Sequence, residues 1–220
     1  MLDSFRDTFR LPDLKRRILF TLAALFVYRL GAHVPTPGVD AAALGRLFDQ
    51  GSILGFLDLF AGGALSRFSI FALGVTPYIN SSIVMQLLAV VVPSIEKLQK
   101  EGEEGRKKIV QWTRYGTIIF AFIQAVGMTG WLRGLGIYTG SFMDIILVSL
   151  TLTTGAVAVM WLGEIMSDHG IGNGISLLIF AGIVVRIPEA VVRTFSLVRL
   201  GEMNALVLLL AIAVMLAVVA

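Results

Sequence analysis

Long apolar runs separated by short polar stretches set the rhythm of this chain. A helix needs about 20 mostly apolar residues to cross a hydrocarbon core, within a range of about 17–25. By that measure, spans are predicted over Ile18 to about Val34, Phe68 to Val92, Ile109 to Met128 and Phe142 to Gly163. A fifth run, Ile175 to Ile187, is short unless Gly170 to Gly174 are partly embedded. A sixth begins near Ala205 and is still apolar at Ala220, with no charged anchor after it, so the chain is expected to be part of a longer protein.

The stretch Ser66 to Gln86, SRFSIFALGVTPYINSSIVMQ, departs from a plain anchor. Gly74 and Pro77 weaken a helix, and lipid does not readily accept Asn80 and Gln86. Just before it, Ile53 to Leu65 has an apolar core of only about ten residues, a length suited to a re-entrant or buried segment. Irregular backbone at membrane depth is tolerated only inside protein or beside a water-filled cavity. If this segment dips inward, a cavity must receive it. Upstream, Asp40 to Gln50 predicts a short surface helix with Asp40 as its N-cap. No internal repeat or low-complexity tract is visible.

Composition agrees with a membrane class. Hydrophobic residues make up 56% of the chain and charged residues 15%, with a mean hydropathy of +0.85. A soluble domain carries about 25% charged residues. The absence of cysteine removes disulfides, thiolate metal sites and a cysteine nucleophile. A net charge of +3 does not indicate a nucleic-acid field. Lys15, Arg16 and Arg17 precede an apolar run as in a secretory signal, but further spans follow, so the run reads as a first span.

Eleven of the 18 basic residues lie in two places, Arg6 to Arg17 and Lys97 to Arg114. Basic loops mark the cytoplasmic side, which predicts a cytoplasmic N-terminus with two spans between the clusters. The 164–174 loop, also expected to be cytoplasmic, has no Lys or Arg, so the rule orients only the first part of the chain.

Catalytic signatures are missing. His33 and His169 are far apart, and no HExxH, P-loop or GxSxG pattern occurs. Gly170 to Ile175 begins like a dinucleotide fingerprint, but it lacks the last glycine and follows a span instead of a strand. Asp144 and Glu164 sit near span ends, where solvation explains them. No cofactor, metal site or enzyme activity is expected.

Val75 and Ile79 are four apart, as are Ile175 and Ile179, so each pair shares a helix face. Branched aliphatics fill membrane helices everywhere, and spacing alone favours core or lipid contact over a gate. Context shifts the balance: the first pair brackets Pro77, and the second follows a glycine-rich helix start. A hydrophobic constriction can block ions by dewetting. Asn80 and Gln86 read first as interhelical hydrogen-bonding groups worth on the order of 1 kcal/mol, and second as a polar seam. The charged stretch Pro93 to Arg114 reads as a solvated face or as a docking surface for a partner or anionic lipid.

Several strings resemble a known family. They are His33-Val-Pro-Thr-Pro-Gly38, Gly62-Gly-Ala-Leu-Ser-Arg67, Ser69-Ile-Phe-Ala-Leu-Gly74, Pro77-Tyr-Ile79 and Lys100-Glu-Gly-Glu-Glu-Gly-Arg106. Gln111-Trp-Thr-Arg-Tyr-Gly116, Gly170-Ile-Gly-Asn-Gly-Ile-Ser176 and Ile179-Phe-Ala-Gly-Ile183 continue the series. Their order over about Lys15 to Val185 is similar to the N-terminal half of the SecY family, the central subunits of bacterial protein-translocation channels.

The resemblance implies an all-α, multi-pass membrane bundle forming the first half of a ten-helix, pseudo-symmetric channel. It implies a cytoplasmic segment over 1–17 and transmembrane helices one to five over 18–187. A plug at 54–66 and a cytoplasmic loop at 93–108 fall within that range, and an external loop and the start of helix six cover 188–220. Val75, Ile79, Ile175 and Ile179 correspond to pore-ring residues, with Val75 departing from the usual isoleucine. The plug is Leu54, Gly55, Phe56, Leu57, Asp58, Leu59, Phe60, Ala61, Gly62, Gly63, Ala64, Leu65 and Ser66. Asn80 and Gln86 fall on one side of a lateral gate. The implied partners are SecE, SecG, the SecA motor ATPase, the ribosome, signal sequences and translocating polypeptides, and lipid, in a bacterial inner membrane. A secondary transporter of small solutes is the alternative, although such proteins carry charged or ion-coordinating groups in their spans. A third reading, a membrane subunit with no pore, puts Val75 and Ile79 against lipid.

Overall fold

The computed structural model describes residues 12–39, 44, 58, 62–138, 140–199 and 213. Among them are six helices: α1 (Pro12–Gly31), α2 (Thr76–Val91), α3 (Pro93–Lys100), α4 (Glu103–Gly134), α5 (Phe142–His169) and α6 (Gly174–Arg199). The described residues contain no strand, only isolated antiparallel bridges at Pro35–Ser69 and Val39–Tyr138. The all-helical expectation holds. The chain divides into two compact units, Met1–Ile183 and Val184–Ala220. The second contributes the end of α6, with Pro188 inside that helix. The expected surface helix at 40–50 and the sixth apolar run lie outside the described residues, apart from Leu44 and Ala213.

By length and composition, α4 and α5 can each cross a membrane. The pair α2 and α3, bent by 101° between them, makes up to three spans if counted as one. Five spans were expected. At the first of them, α1 begins in water-seeking residues (Asp13, Lys15, Arg16, Arg17) and stops at Gly31 instead of Val34. The apolar part of α6, Gly174–Pro188, is short.

The second predicted span differs most. Helix begins only at Thr76, and 62–75 is a series of tight turns. Phe68 (φ 45°) and Gly74 (φ 53°) adopt the left-handed region, which no helix continues through. Pro77 does not break α2. It sits in its first turn, where the missing N–H costs nothing.

The charged 93–108 stretch, expected as a cytoplasmic loop, is helical over most of its length. Only Glu101 and Gly102 separate α3 from α4, with Gly102 at φ 77° making the turn. Charges on an exposed face, such as the ion-paired Glu96 and Lys100, leave a helix intact. Asp144, expected to be merely solvated, accepts the Ser141 N–H at 2.7 Å in a capping box that starts α5.

Close packing rests on small residues. Along α4, Thr113, Thr117, Ala121, Ala125 and Thr129 recur every fourth position and are all buried. Such a stripe lets helix backbones approach, and here it meets α2 and α5. The threonine hydroxyls donate to carbonyls four residues back, so burial leaves them satisfied. Ser81 of α2 donates to the Thr113 carbonyl at 2.7 Å. The turns at 62–75 press on α5 where Gly155 faces the Ile70 carbonyl, with no room for a Cβ.

Gly155→Val is therefore expected to destabilise the fold by about 1–3 kcal/mol through overpacking. Gly127→Ala, on an open face of α4, is expected to leave stability unchanged or raise it by up to about 1 kcal/mol. Thermal unfolding of the detergent-purified protein compares the two.

Candidate functional site

A cavity of about 560 Å³ opens between α2, α4, α5 and the start of α6. Ile79, Ile175 and Ile179 give it an apolar wall. Arg106, Arg114, Glu164 and Asp168 give it a charged one.

The local sequence sets both helix starts that border the cavity. On one side, the left-handed Gly74 ends the turns and Val75 becomes the N-cap of α2. On the other, Asn173 Oδ1 accepts the Ser176 N–H at 3.1 Å and caps α6. Ser167 Oγ donates to the Gly163 carbonyl and accepts the Gly174 N–H, both at 2.9 Å, which staples α6 to α5. Gly163 makes the space that the Ile175 side chain fills. The glycine-rich 170–174 string is thus a helix-to-helix connector. Its first carbonyl accepts from Arg17 Nη1 at 3.3 Å, and Ile171 N–H donates to Thr21 Oγ1 at 3.2 Å, so α1 is tied to it.

Val75, Ile79, Ile175 and Ile179 come together in one packed cluster with Phe71, Val159 and Leu178. Val75 is buried and the three isoleucines are half-buried. The Ile79 N–H donates to the Val75 carbonyl at 3.1 Å, so the four-residue spacing survives although Val75 is a cap. Val75 is enclosed by this cluster, and Ile79 lines the cavity.

Asn80 and Gln86 are not brought together. Six positions apart on a helix, they stand about 120° apart around its axis. Gln86 is exposed, lines the cavity and donates to Ser82 Oγ at 3.2 Å. Asn80 is half-buried, and among the described residues its side chain has no hydrogen bond.

Of the segment 54–66, the residues Leu54, Gly55, Phe56, Leu57, Leu59, Phe60 and Ala61 lie outside the described ones. Asp58, Gly62, Gly63, Ala64 and Leu65 are buried, and Ser66 is half-buried. Asp58 Oδ1 accepts the N–H groups of Leu65 at 3.0 Å and Ser66 at 2.9 Å. Ala64 and Leu65 join the core formed with α4 and α5.

Sequence reasoning missed the Arg114–Glu164 pair. Arg114 Nε donates to Glu164 Oε1 at 2.9 Å across 50 positions, and the Glu164 side chain is only 15% exposed. No spacing rule links the two residues. The available signal was an opposite pair of charges set at the ends of apolar runs.

The pair is expected to show coupling of about 1 kcal/mol, weakened by salt. A double-mutant cycle of Arg114→Gln and Glu164→Gln, read by thermal unfolding at low and high ionic strength, measures it. Additive losses would contradict it.

The SecY family model matches residues 69–220. The protein translocase subunit SecY of Escherichia coli K12 is 49% identical over 208 residues, covering 91% of this chain and 47% of that protein. The subunit of the same name from Haemophilus influenzae is 50% identical over 213 residues, 94% of this chain and 48% of its own length. That of Corynebacterium glutamicum is 46% identical over 202 residues, with 86% and 45% covered. The chain thus spans about half the length of these relatives. Among solved structures, Sec61 in a canine ribosome–channel complex from the endoplasmic reticulum aligns with a TM-score of 0.56 at 23% identity, over 77% of this chain and 36% of that one. A structure described as a protein conducting channel aligns with the same values. At that identity the likeness speaks for the fold.

Proposed function

Because the chain belongs to the SecY family, we propose that it forms one half of a channel that conducts unfolded polypeptides across a membrane and releases apolar segments sideways into lipid. The observation that carries this reading is the single cluster formed by Val75, Ile79, Ile175 and Ile179 beside a cavity whose other wall is charged. Branched aliphatic side chains part without exposing unpaired polar groups, so they can close around side chains of many shapes. In the resting state the same collar excludes ions by staying dry. A polar ring would select among substrates, which a general conduit should not do.

In this reading Val75, Ile79, Ile175 and Ile179 form part of the pore ring, residues 54–66 form the plug, and Asn80 and Gln86 belong to one side of the lateral gate. The charged cavity wall is then a wet vestibule in which Arg114 and Glu164 neutralise each other. The proposed layout keeps 1–17 cytoplasmic, 18–187 as helices one to five, and 188–220 as an external connection followed by helix six. The opposite wall would come from the remainder of a protein as long as the relatives. The protein is a membrane protein. We assign it to a bacterial inner membrane with its N-terminus in the cytoplasm, acting as a conduit and not as an enzyme. Its partners would be SecE and SecG in the membrane, with SecA or a ribosome supplying the driving force.

Two measurements test this. In the assembled channel, cysteines at positions 79 and 179 are expected to cross-link to a stalled translocating chain that carries its own cysteine. Failure at both positions while transport proceeds would sink the pore assignment. Deletion of 54–66 is expected to raise resting ion conductance in a planar bilayer, and an unchanged conductance would reduce that segment to a loop.

A further inference from the structure

The segment ending at Ser66 is organised by its backbone. Besides the two bonds to the Asp58 carboxylate, the Gly63 N–H donates to the Asp58 carbonyl and Ser66 Oγ donates to the Gly63 carbonyl, both at 3.2 Å. These bonds fold the segment onto itself. Besides the packing of Ala64 and Leu65 against α4 and α5, Gly62 makes contacts that reach helices. Arg29, in the last turn of α1, donates from Nη1 to the Gly62 carbonyl at 2.8 Å across 33 positions. Gly62, held at φ +62°, lies so close to α6 that a Cβ there would stand 2.9 Å from Gly182 Cα.

The chemistry of the first contact matters. The acceptor is a main-chain carbonyl, so the bond is indifferent to the side chains of the segment. The donor is a guanidinium, and hydrogen bonds from charged donors are stronger than neutral ones. The main chain of Arg29 is held at its own helix end, where His33 Nδ1 donates to the Arg29 carbonyl at 2.8 Å. One side chain from α1 therefore grips a residue that lies close against the α6 backbone.

We infer that Arg29 is a positioning residue: its hydrogen bond to the Gly62 carbonyl holds residues 62–66 docked against α6 at Gly182 and sets how readily that segment leaves. This rests on the reading of 54–66 as the plug. If the segment leaves as a unit, the guanidinium and the Gly62 carbonyl can both turn to water, and the same bond reforms on return.

Amide hydrogen exchange of the assembled channel in lipid tests the anchor, with peptides covering 62–66 compared against an α5 peptide in the same sample. Arg29→Met is expected to speed exchange at 62–66 about tenfold, on the scale of losing one charge-assisted bond. Arg29→Lys, which keeps a cationic donor, is expected to stay within about threefold of the parent protein. Unchanged exchange in Arg29→Met, or an equal rise in Arg29→Lys, overturns the anchor. Should Arg29→Met also expose α5, Gly62→Ala decides: it keeps Arg29 but pushes the segment off Gly182, and exchange at 62–66 alone should rise. No rise there overturns the docking. Conductance separates the two readings. Faster exchange in Arg29→Met together with an unchanged leak on deleting 54–66 supports the anchor and refutes the plug. A raised leak on deletion with unchanged exchange in Arg29→Met refutes the anchor alone.

Discussion

A non-helical stretch packed among apolar helices has to find partners for its own peptide groups, because no water is there to take them. Residues 62–75 meet much of that demand, and the packing of the first unit around them follows from how they do it. The Leu65 and Ser66 N–H groups go to Asp58, the Thr36 N–H goes to the Phe68 carbonyl, and the Ile70 N–H goes to the Val34 carbonyl. Short i to i+3 turns absorb Phe68, Ala72, Gly74 and Thr76. Each bond is local or reaches the segment that follows α1. The stretch can therefore lie beside α5 without borrowing bonds from that helix.

That solution dictates the rest of the packing. The turns touch α5 at Gly155, stack Phe71 on Tyr28 of α1 at 5.9 Å, and deliver Val75 as the cap of α2. The direction of α2 follows from where the turns end, and α4 is then held to it by the Ser81 bond and the facing Gly116. The cavity is the space left between α2 and α6, whose starts are fixed by separate caps. A continuous helix over the whole apolar run would have carried Val75 and Ile79 along one rod, with no turn region for Arg29 to hold at Gly62.

The cavity combines two environments that chemistry normally separates. The aliphatic cluster sits where opposed helix starts converge, and the charges sit where α4 and α5 present Arg114 and Glu164. For the proposed conduit this division is useful: the charged wall keeps the vestibule wet, and the apolar wall keeps the constriction dry. The outward faces of α1, α4 and α5 carry large exposed apolar side chains, including Phe26, Ile123 and Trp161. Lipid or neighbouring helices suit such faces.

Several features were legible from residue order alone. Apolar run length located α4 and α5, because a helix satisfies its own peptide groups and needs only neighbours in sequence. The i, i+4 pairs Val75–Ile79 and Ile175–Ile179 were readable for the same reason, and the ordered motifs pointed to the family. The sequence could not say that Pro77 opens a helix instead of breaking one, since that depends on Gly74 and Phe68 turning left-handed beside α5. Nor could it pair Arg114 with Glu164 or Arg29 with the Gly62 carbonyl, 50 and 33 positions apart. Local hydrogen bonding and hydrophobic periodicity are written along the chain. Contacts between distant residues exist only after the helices have packed, and those contacts built the cavity and joined the two aliphatic pairs into one cluster.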